Sequence, residues 1–472
     1  MTSLAASVSD RVRLPSPGTA ALWLALALTG LVIGVWAVVA PLLGVAALVA
    51  LAFAIATAWD LAAGVAAFTV LTFFERIPGT PETGITVVKL AGALLALVWI
   101  VRMLRRQSGL PFFPQDHPAA AFAVVAFGAW SLASILWAEK ASSAQGSSIR
   151  LIQGAILLII VYAALRERRH VLWVLWAYVA GAVLSAVLGV AGATEAEQVG
   201  PGSDTIRLAG GIGDANELAA ILVPAVVIAA GLLVVTRTLL GRFVLSVSIV
   251  LIVLALFWTQ SRGGLVAMAA TAVIAPLFAG STRPRLIALI ASIGALAVTY
   301  FALVAPPEQL NRITSFDAGG GTGRPDLWAI SITMAKDHPV VGIGAGNFVV
   351  VEPRYATRDI DLRRVDLIVD TPKGAHNTYL HTLTELGMVG LLLLLAGVLA
   401  CLTICYRGVL ALEREGEREL GLLGRAVIVG IIGMLAAFVF ISAAHREQLW
   451  LLLGVAASFA TLARSIPGRM RA

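Results

Sequence analysis

Charge is scarce in this chain. Asp, Glu, Lys and Arg make up 13% of its 472 residues, about half the share usual in a soluble domain. Hydrophobic residues make up 59%, and mean hydropathy is +0.92. A single soluble core is excluded on those grounds. The chain reads as an all-α polytopic integral membrane protein, because only segments that satisfy their own backbone hydrogen bonds can cross lipid. Cysteine is scarcer still. Cys401 and Cys405 lie four apart in one apolar run, which is neither a disulfide framework nor a metal-ligand spacing. Net charge is +7 and the pI about 9.8. In a soluble protein that balance suggests nucleic acid. Here the arginines gather in short connections, where they set membrane topology, and no nucleic-acid partner is expected. Residues 1–18 are short and polar, and the apolar run after them is long enough to span and remain.

What the chain has instead is apolar runs. They fall near 20–38, 42–58, 61–74, 85–104, 119–138, 148–166, 170–192, 215–236, 242–259, 263–280, 285–305, 388–406, 425–443 and 447–463. Several are shorter than the roughly 20 residues a crossing needs. The expectation is about 12–14 transmembrane helices, twelve if two of the first three runs form one bent or re-entrant unit. With the N-terminus in the cytoplasm, basic clusters fall on that side at Arg102 to Arg106, Arg166 to Arg169, Arg237 and Arg242, Arg283 and Arg285, Arg407 to Arg425, and Arg464 to Arg471. The opposite connections are poor in arginine. Both termini are then cytoplasmic.

One external segment, Pro306 to Ala375, is too long for an ordinary connection. It holds eight basic and nine acidic residues. Within it, Leu327, Ile330, Ile332 and Met334 predict a short amphipathic helix over Arg324–Lys336, ended by Asp337-His338-Pro339. VVGIGAGNF reads as a glycine-rich turn, and 359–370 as a charged stretch. Asn377–Leu386 reads as helix running into the span at 388. The division expected is 1–305, transmembrane helices; 306–387, a long external loop carrying site residues; and 388–472, further transmembrane helices, all in one membrane domain.

Candidate chemistry sits at the external edge. Arg262 lies in TQSRGGL, where it is either a snorkelling anchor or a substrate contact that flanking glycines let an anion approach. Arg207 precedes a glycine-rich turn with Asp214 as a candidate N-cap, and a structural or a ligand role both fit. Arg324 opens the amphipathic helix with Pro325 in its first turn. A cation at a helix N-terminus is unfavourable by itself, yet both attract an anion. His376 sits beside a helix start, with an intrinsic pKa suited to a general base. His381, about 140° further round that helix, does not share its face and is expected to pack. Glu385 is expected to orient a neighbour. No metal-ligand spacing is present, so no metal and no cofactor are expected.

In order, these residues form RxxGxxGxxNxxA at Arg207–Ala219, SRG at 261–263, GRxxxW at 323–328, GxGxxNF at Gly342–Phe348 and HNxxLxxLxExGxxG at 376–390. The set resembles the O-antigen ligase and polymerase superfamily of bacterial membrane glycosyltransferases. The resemblance implies a type-C glycosyltransferase-like fold with the loop and site on the periplasmic side of the inner membrane. It also implies transfer of a glycan from an undecaprenyl-diphosphate-linked donor to an acceptor hydroxyl on a lipid or glycan. By the same resemblance Arg262 and Arg324 hold the diphosphate, His376 is the base, and Arg207 and Asn377 contribute to substrate binding. Ligase and polymerase remain open alternatives. A transporter would place ionisable residues in mid-span, and few are present.

Overall fold

The structure, a computed structural model, describes residues 41–76, 86–105, 111–194, 196–198, 206–307, 309–310, 323–358, 362 and 373–465. The run read at 20–38, nearly all of the charged stretch 359–370, and Arg11, Arg13, Arg106, Arg469 and Arg471 lie outside the described residues. The chain divides into two units, residues 1–56 and 57–472.

The described helices are α1 (Pro41–Trp59), α2 (Leu61–Leu71), α3 (Val87–Leu104), α4 (Phe113–Asp116), α5 (Pro118–Ala133), α6 (Ala141–Ala164), α7 (Arg168–Val190), α8 (Ala215–Val235), α9 (Leu239–Trp258) and α10 (Arg262–Phe278). They continue with α11 (Arg283–Leu303), α12 (Arg324–Asp337), α13 (Phe348–Ala356), α14 (Thr378–Arg414), α15 (Arg418–Ala437) and α16 (Glu447–Ser465). The strands described are β1 (Glu197–Gln198) and β2 (Ile206–Arg207), an antiparallel pair between α7 and α8. Ten of the described helices are long and apolar enough to cross a membrane: α3, α5 with its one-turn extension to Leu136, α6 to α9, α11, and α14 to α16. The protein is an all-α polytopic integral membrane protein.

Two spans differ most from their sequence expectation. The run at 61–74 folds as an 11-residue helix. At 1.5 Å per residue it reaches about 16 Å, half the hydrocarbon thickness, so it is not a full crossing. The run at 388–406 is the middle of a 37-residue helix, because the helix begun at Thr378 continues through Gly387 (φ 67°, ψ −172°) into the membrane. Glycine tolerates that kink. The backbone N–H groups of Met388 and Val389, freed by it, donate to the carbonyls of Pro339 and Val340 at 2.9 and 3.4 Å.

In the second unit α16 packs against α14 and α6, α15 against α8 and α10, α5 against α14, and α2 against α7. Small residues mark the closest approaches, as lipid-embedded packing favours. A Cβ on Gly454 would stand 2.8 Å from the Leu158 carbonyl oxygen, and one on Gly408 2.7 Å from the Ala460 nitrogen. Helix α8 is apolar all round and buried along most of its length, whereas α11 buries only Tyr300. The two sets of connections read from charge meet within themselves. Arg168 and Arg237 both bond Glu419, and Arg102 donates to the Ala58 and Trp59 carbonyls at 2.8 and 3.0 Å. At the other end Arg446 pairs with Glu75 and Glu217, and Arg354 with Glu139 at 2.6 Å.

The segment between α11 and α14 has a small core of its own. Leu327, Ile330 and Met334 of α12 pack on Phe348, Val351 and Tyr355 of α13, with Ile343 and Ala375 closing it. Helix α12 covers the predicted amphipathic stretch, with Pro325 in its first turn and His338 at its C-cap.

Candidate active site

The HN corner is built by capping. Asn377 is extended, and its Oδ1 accepts from the N–H groups of Tyr379 and Leu380, both at 3.0 Å. That satisfies two of the donors a helix start leaves open. The Thr378 hydroxyl donates to the Ile441 carbonyl at 2.7 Å and accepts from the Ala443 N–H at 3.0 Å. The corner is thereby stitched to the connection between α15 and α16. His376 precedes the cap with φ 47°, a left-handed conformation that disfavours a β-carbon and is typically retained where the surroundings over-determine it.

The glycine-rich turn wraps the same helix. Ile343 and Gly344 donate backbone N–H groups to the Thr384 and Glu385 carbonyls at 3.0 and 2.8 Å. The Glu385 carboxylate accepts from the N–H groups of Gly346 (2.7 Å) and Phe348 (3.1 Å), and its Oε1 lies 3.3 Å from His381 Nε2. Glu385 therefore orients a neighbour, as read. His381 makes a polar pairing as well as packing on the Phe348 ring.

Arg207 is 4% exposed. Its three side-chain nitrogens donate to the Thr259 carbonyl, the Glu197 carboxylate and the Asn216 amide oxygen, each at 2.9 Å. Asn216 also accepts from the Ser261 hydroxyl at 3.0 Å, and Ser261 in turn accepts from the Gly264 N–H as N-cap of α10. This network ties the RxxGxxGxxN turn to the SRG turn. It presents Arg262 as the first residue of α10, while Gln260, before the cap, is held at φ 50°. Asp214 caps α8, accepting from Asn216 and Glu217 at 2.8 and 2.9 Å. Arg324 opens α12 after Gly323, whose φ of 68° turns the chain into the helix.

Electrostatic coupling brings these pieces together. Burial, then the charge of Arg207, lowers the Arg324 pKa; Asp214 raises it and Arg262 lowers it further. Burial and the Arg324 charge pull His376 down to about 4, Asp214 opposes, and Lys373 and His381 add to the fall. Arg207, Asp214, Arg262, Arg324 and His376 thus share one neighbourhood, and His376 is neutral near pH 7. His376 also lines a cavity of about 560 Å³, walled by α6, the start of α8, the HN corner and the 441–445 connection.

Residues 247–395 match the family described as O-Antigen ligase. Over this segment, about a third of the chain, the protein is similar to the O-antigen ligase family. No curated protein matches the chain. The family implies a glycosyltransferase-type enzyme acting on lipid-linked glycans in general. The O-antigen ligase segment runs from mid-α9 into α14, so it contains Arg262, Arg324, His376 and Asn377, while Arg207 lies before it.

The bonds of Arg207 and Asn377 are structural: one is spent on a buried network, the other on a cap. Four features escaped sequence reasoning. Arg446 pairs with Glu75 and with Glu217, which lines the cavity. His445 lines the cavity, with its pKa lowered to about 4 by burial and then by Arg150. Arg150 itself lines the cavity. Glu352 is fully buried in the loop core. The AAHRE connection was visible as two bases and an acid in an apolar setting, the signal that points to it. Nothing in the local sequence marks Glu352.

Proposed function

We propose that the protein transfers a glycan from an undecaprenyl-diphosphate-linked donor to an acceptor hydroxyl at the periplasmic face of the bacterial inner membrane, as an O-antigen ligase. The observation that carries this reading is a neutral, conformationally restrained His376 that lines the cavity and feels the charge of Arg324. Arg324 and Arg262 are the groups for the donor diphosphate. Guanidinium forks bond phosphate oxygens bidentately and keep their charge. His376 accepts the acceptor hydroxyl's proton. The hydroxyl oxygen forms the new bond to the anomeric carbon, and the bond from that carbon to the phosphate oxygen breaks. The diphosphate leaves with the bonding pair, and the two arginines stabilise the charge that grows on it. Attack opposite the leaving group inverts the anomeric carbon.

A base with a pKa near 4 is weak at neutral pH. Arg324 is part of the cause, so a bound diphosphate, by offsetting that charge, raises the His376 pKa as the donor arrives. The base is strengthened only when the leaving group is in place. The same charge is what a divalent metal supplies elsewhere, and transfer is expected to persist in a chelator. Arginines in the connections Arg166–Arg169, Arg237–Arg242 and Arg283–Arg285 support an orientation that puts the site outside.

The test is transfer by the purified full chain in lipid nanodiscs, given an undecaprenyl-diphosphate glycan with and without a core-lipid acceptor. One glycan added to the core lipid is expected, and none without it. Chain growth on the donor alone means a polymerase, and absence of any product sinks the reading. His376→Ala and Arg324→Ala should abolish transfer while the protein still inserts; near-normal product from either removes that residue from the site.

A further inference from the structure

Helix α6 enters the bundle with nearly three polar turns, ASSAQGSSIR, before its apolar part begins at Leu151. From there to Ala164 the apolar part reaches about 21 Å, short of a full crossing. In the polar start Ala144 and Ser148 are buried, whereas Ser142 and Arg150 are exposed. Ser142, Ser143, Ser147 and Arg150 line the same cavity as His376. The glycine-rich turn presses on this wall: a Cβ on Gly346 would stand 2.7 Å from the Ser143 carbonyl oxygen. At Gly146, by contrast, a Cβ would meet nothing within 4 Å, so the wall is open there.

The carboxylates lining the cavity are engaged. Asp214 caps α8, Glu217 pairs with Arg446, and Glu385 holds His381 and two backbone N–H groups. Arg150 bonds a neutral group, the Ser147 hydroxyl, at 3.0 Å. Its charge also lowers the pKa of His445 across the cavity. A guanidinium beside hydroxyls, in a cavity whose acids are taken, is complementary to a polyhydroxylated ligand that carries an anion. His376 is coupled to Arg324 and Asp214 and lines the same cavity as this wall.

The geometry points to an acceptor subsite on α6: Ser142, Ser143 and Ser147 meet sugar hydroxyls, and Arg150 pairs with an anionic substituent, phosphate or carboxylate, of the acceptor sugar. The inference rests on the glycosyl-transfer reading above.

The experiment uses the full chain in nanodiscs with an undecaprenyl-diphosphate glycan. The acceptor is a core lipid, taken intact, after removal of its phosphates, or after reduction of its carboxyl groups. Arg150→Gln should raise the KM for intact acceptor about 10- to 100-fold, the range for a charge-assisted hydrogen bond, and leave the donor KM unchanged. Arg150→Lys should recover part of the loss. One of the two chemical treatments should raise the wild-type KM by a similar factor and have no further effect on Arg150→Gln, which names the anion. Gly146→Phe, placing a ring in the open part of the cavity, should raise the KM for every acceptor. An unchanged acceptor KM in Arg150→Gln overturns the inference, as does a rise confined to the donor. So does a wild type indifferent to both treatments. If the wild type transfers to no acceptor, the glycosyl-transfer reading fails and takes the inference with it; wild-type transfer with an unaffected Arg150→Gln defeats the inference alone.

Discussion

Glu352 puts a titrating group inside the small core between α12 and α13. Its side chain is 0% exposed, and neither carboxylate oxygen finds a hydrogen-bond partner among the described residues. Burial raises its pKa from 4.5 to about 7; the Lys373 backbone and ammonium pull it partly back, without closing a hydrogen bond. A raised carboxyl pKa means that the folded segment binds the proton more tightly than the unfolded one. Its contribution to stability is therefore complete below about pH 4.5 and is lost as pH rises through about 7. The full difference corresponds to roughly 3 kcal/mol, or about a hundredfold in the opening equilibrium of the segment. Amide hydrogen exchange of peptides covering α12 and α13, corrected for intrinsic rates, should lose protection between pH 5 and pH 8, while α8 peptides serve as an internal reference. In Glu352→Gln the pH dependence should vanish and protection at pH 8 should exceed that of the wild type. Equal corrected protection at both pH values in the wild type, or an unchanged slope in Glu352→Gln, would refute the reasoning.

Because Lys373 helps hold the His376 pKa near 4, the acid limb of kcat/KM should lie well below pH 6.5 and move upward in Lys373→Gln; a limb that stays in place removes His376 as the titrating base. Arg207→Met breaks a buried network and should destabilise the protein by about 3 kcal/mol, seen as a clear fall in Tm that Arg324→Gln does not share. Gly387→Ala puts a β-carbon at φ 67° against the Val340 backbone, so it should cost about 2 kcal/mol or more and reduce the amount of folded protein recovered from membranes.

Much of the scaffold is visible in the sequence because the relevant signals are local. Every apolar run from 42 onward lies mostly on a helix. Asp214 caps α8, and Arg324-Pro325 opens α12, as their residue types predict. The start of α6 was placed seven residues late, at 148, because its serines carry no apolar periodicity although they are helical. The site is less visible, because it is made of long-range bonds. Arg446 meets Glu217 across 229 positions, and Asn347 accepts from the Lys140 N–H across 207. Composition gives no register for such pairs. Asn377 shows a further ambiguity: an asparagine ahead of a helix is both a plausible ligand contact and a good cap, and only the 3.0 Å bonds to Tyr379 and Leu380 identify the capping.

The described scaffold explains why the cations and not the acids would face a ligand. Glu197 takes Arg207 and the Ala215 N–H. Glu217 takes Arg446, Glu385 takes His381 and the glycine-rich turn, and Asp214 caps α8. Each of these acids is fixed by backbone or by a base that serves the scaffold. Arg324 is left in a field where two of its three charged neighbours, Arg207 and Arg262, are also positive. Like charges in a half-buried setting raise the free energy of the unliganded protein, and an entering anion relieves that repulsion. Backbone strain falls at the same place: among the described residues, Gln260 and His376 are the non-glycine positions with positive φ, one just before the Ser261 cap and the other just before the Asn377 cap. The caps hold both residues in conformations they would otherwise avoid. Repulsion and strain both concentrate where the arginines meet His376, which is the expected pattern if the fold is organised to bind an anion there and set a base beside it.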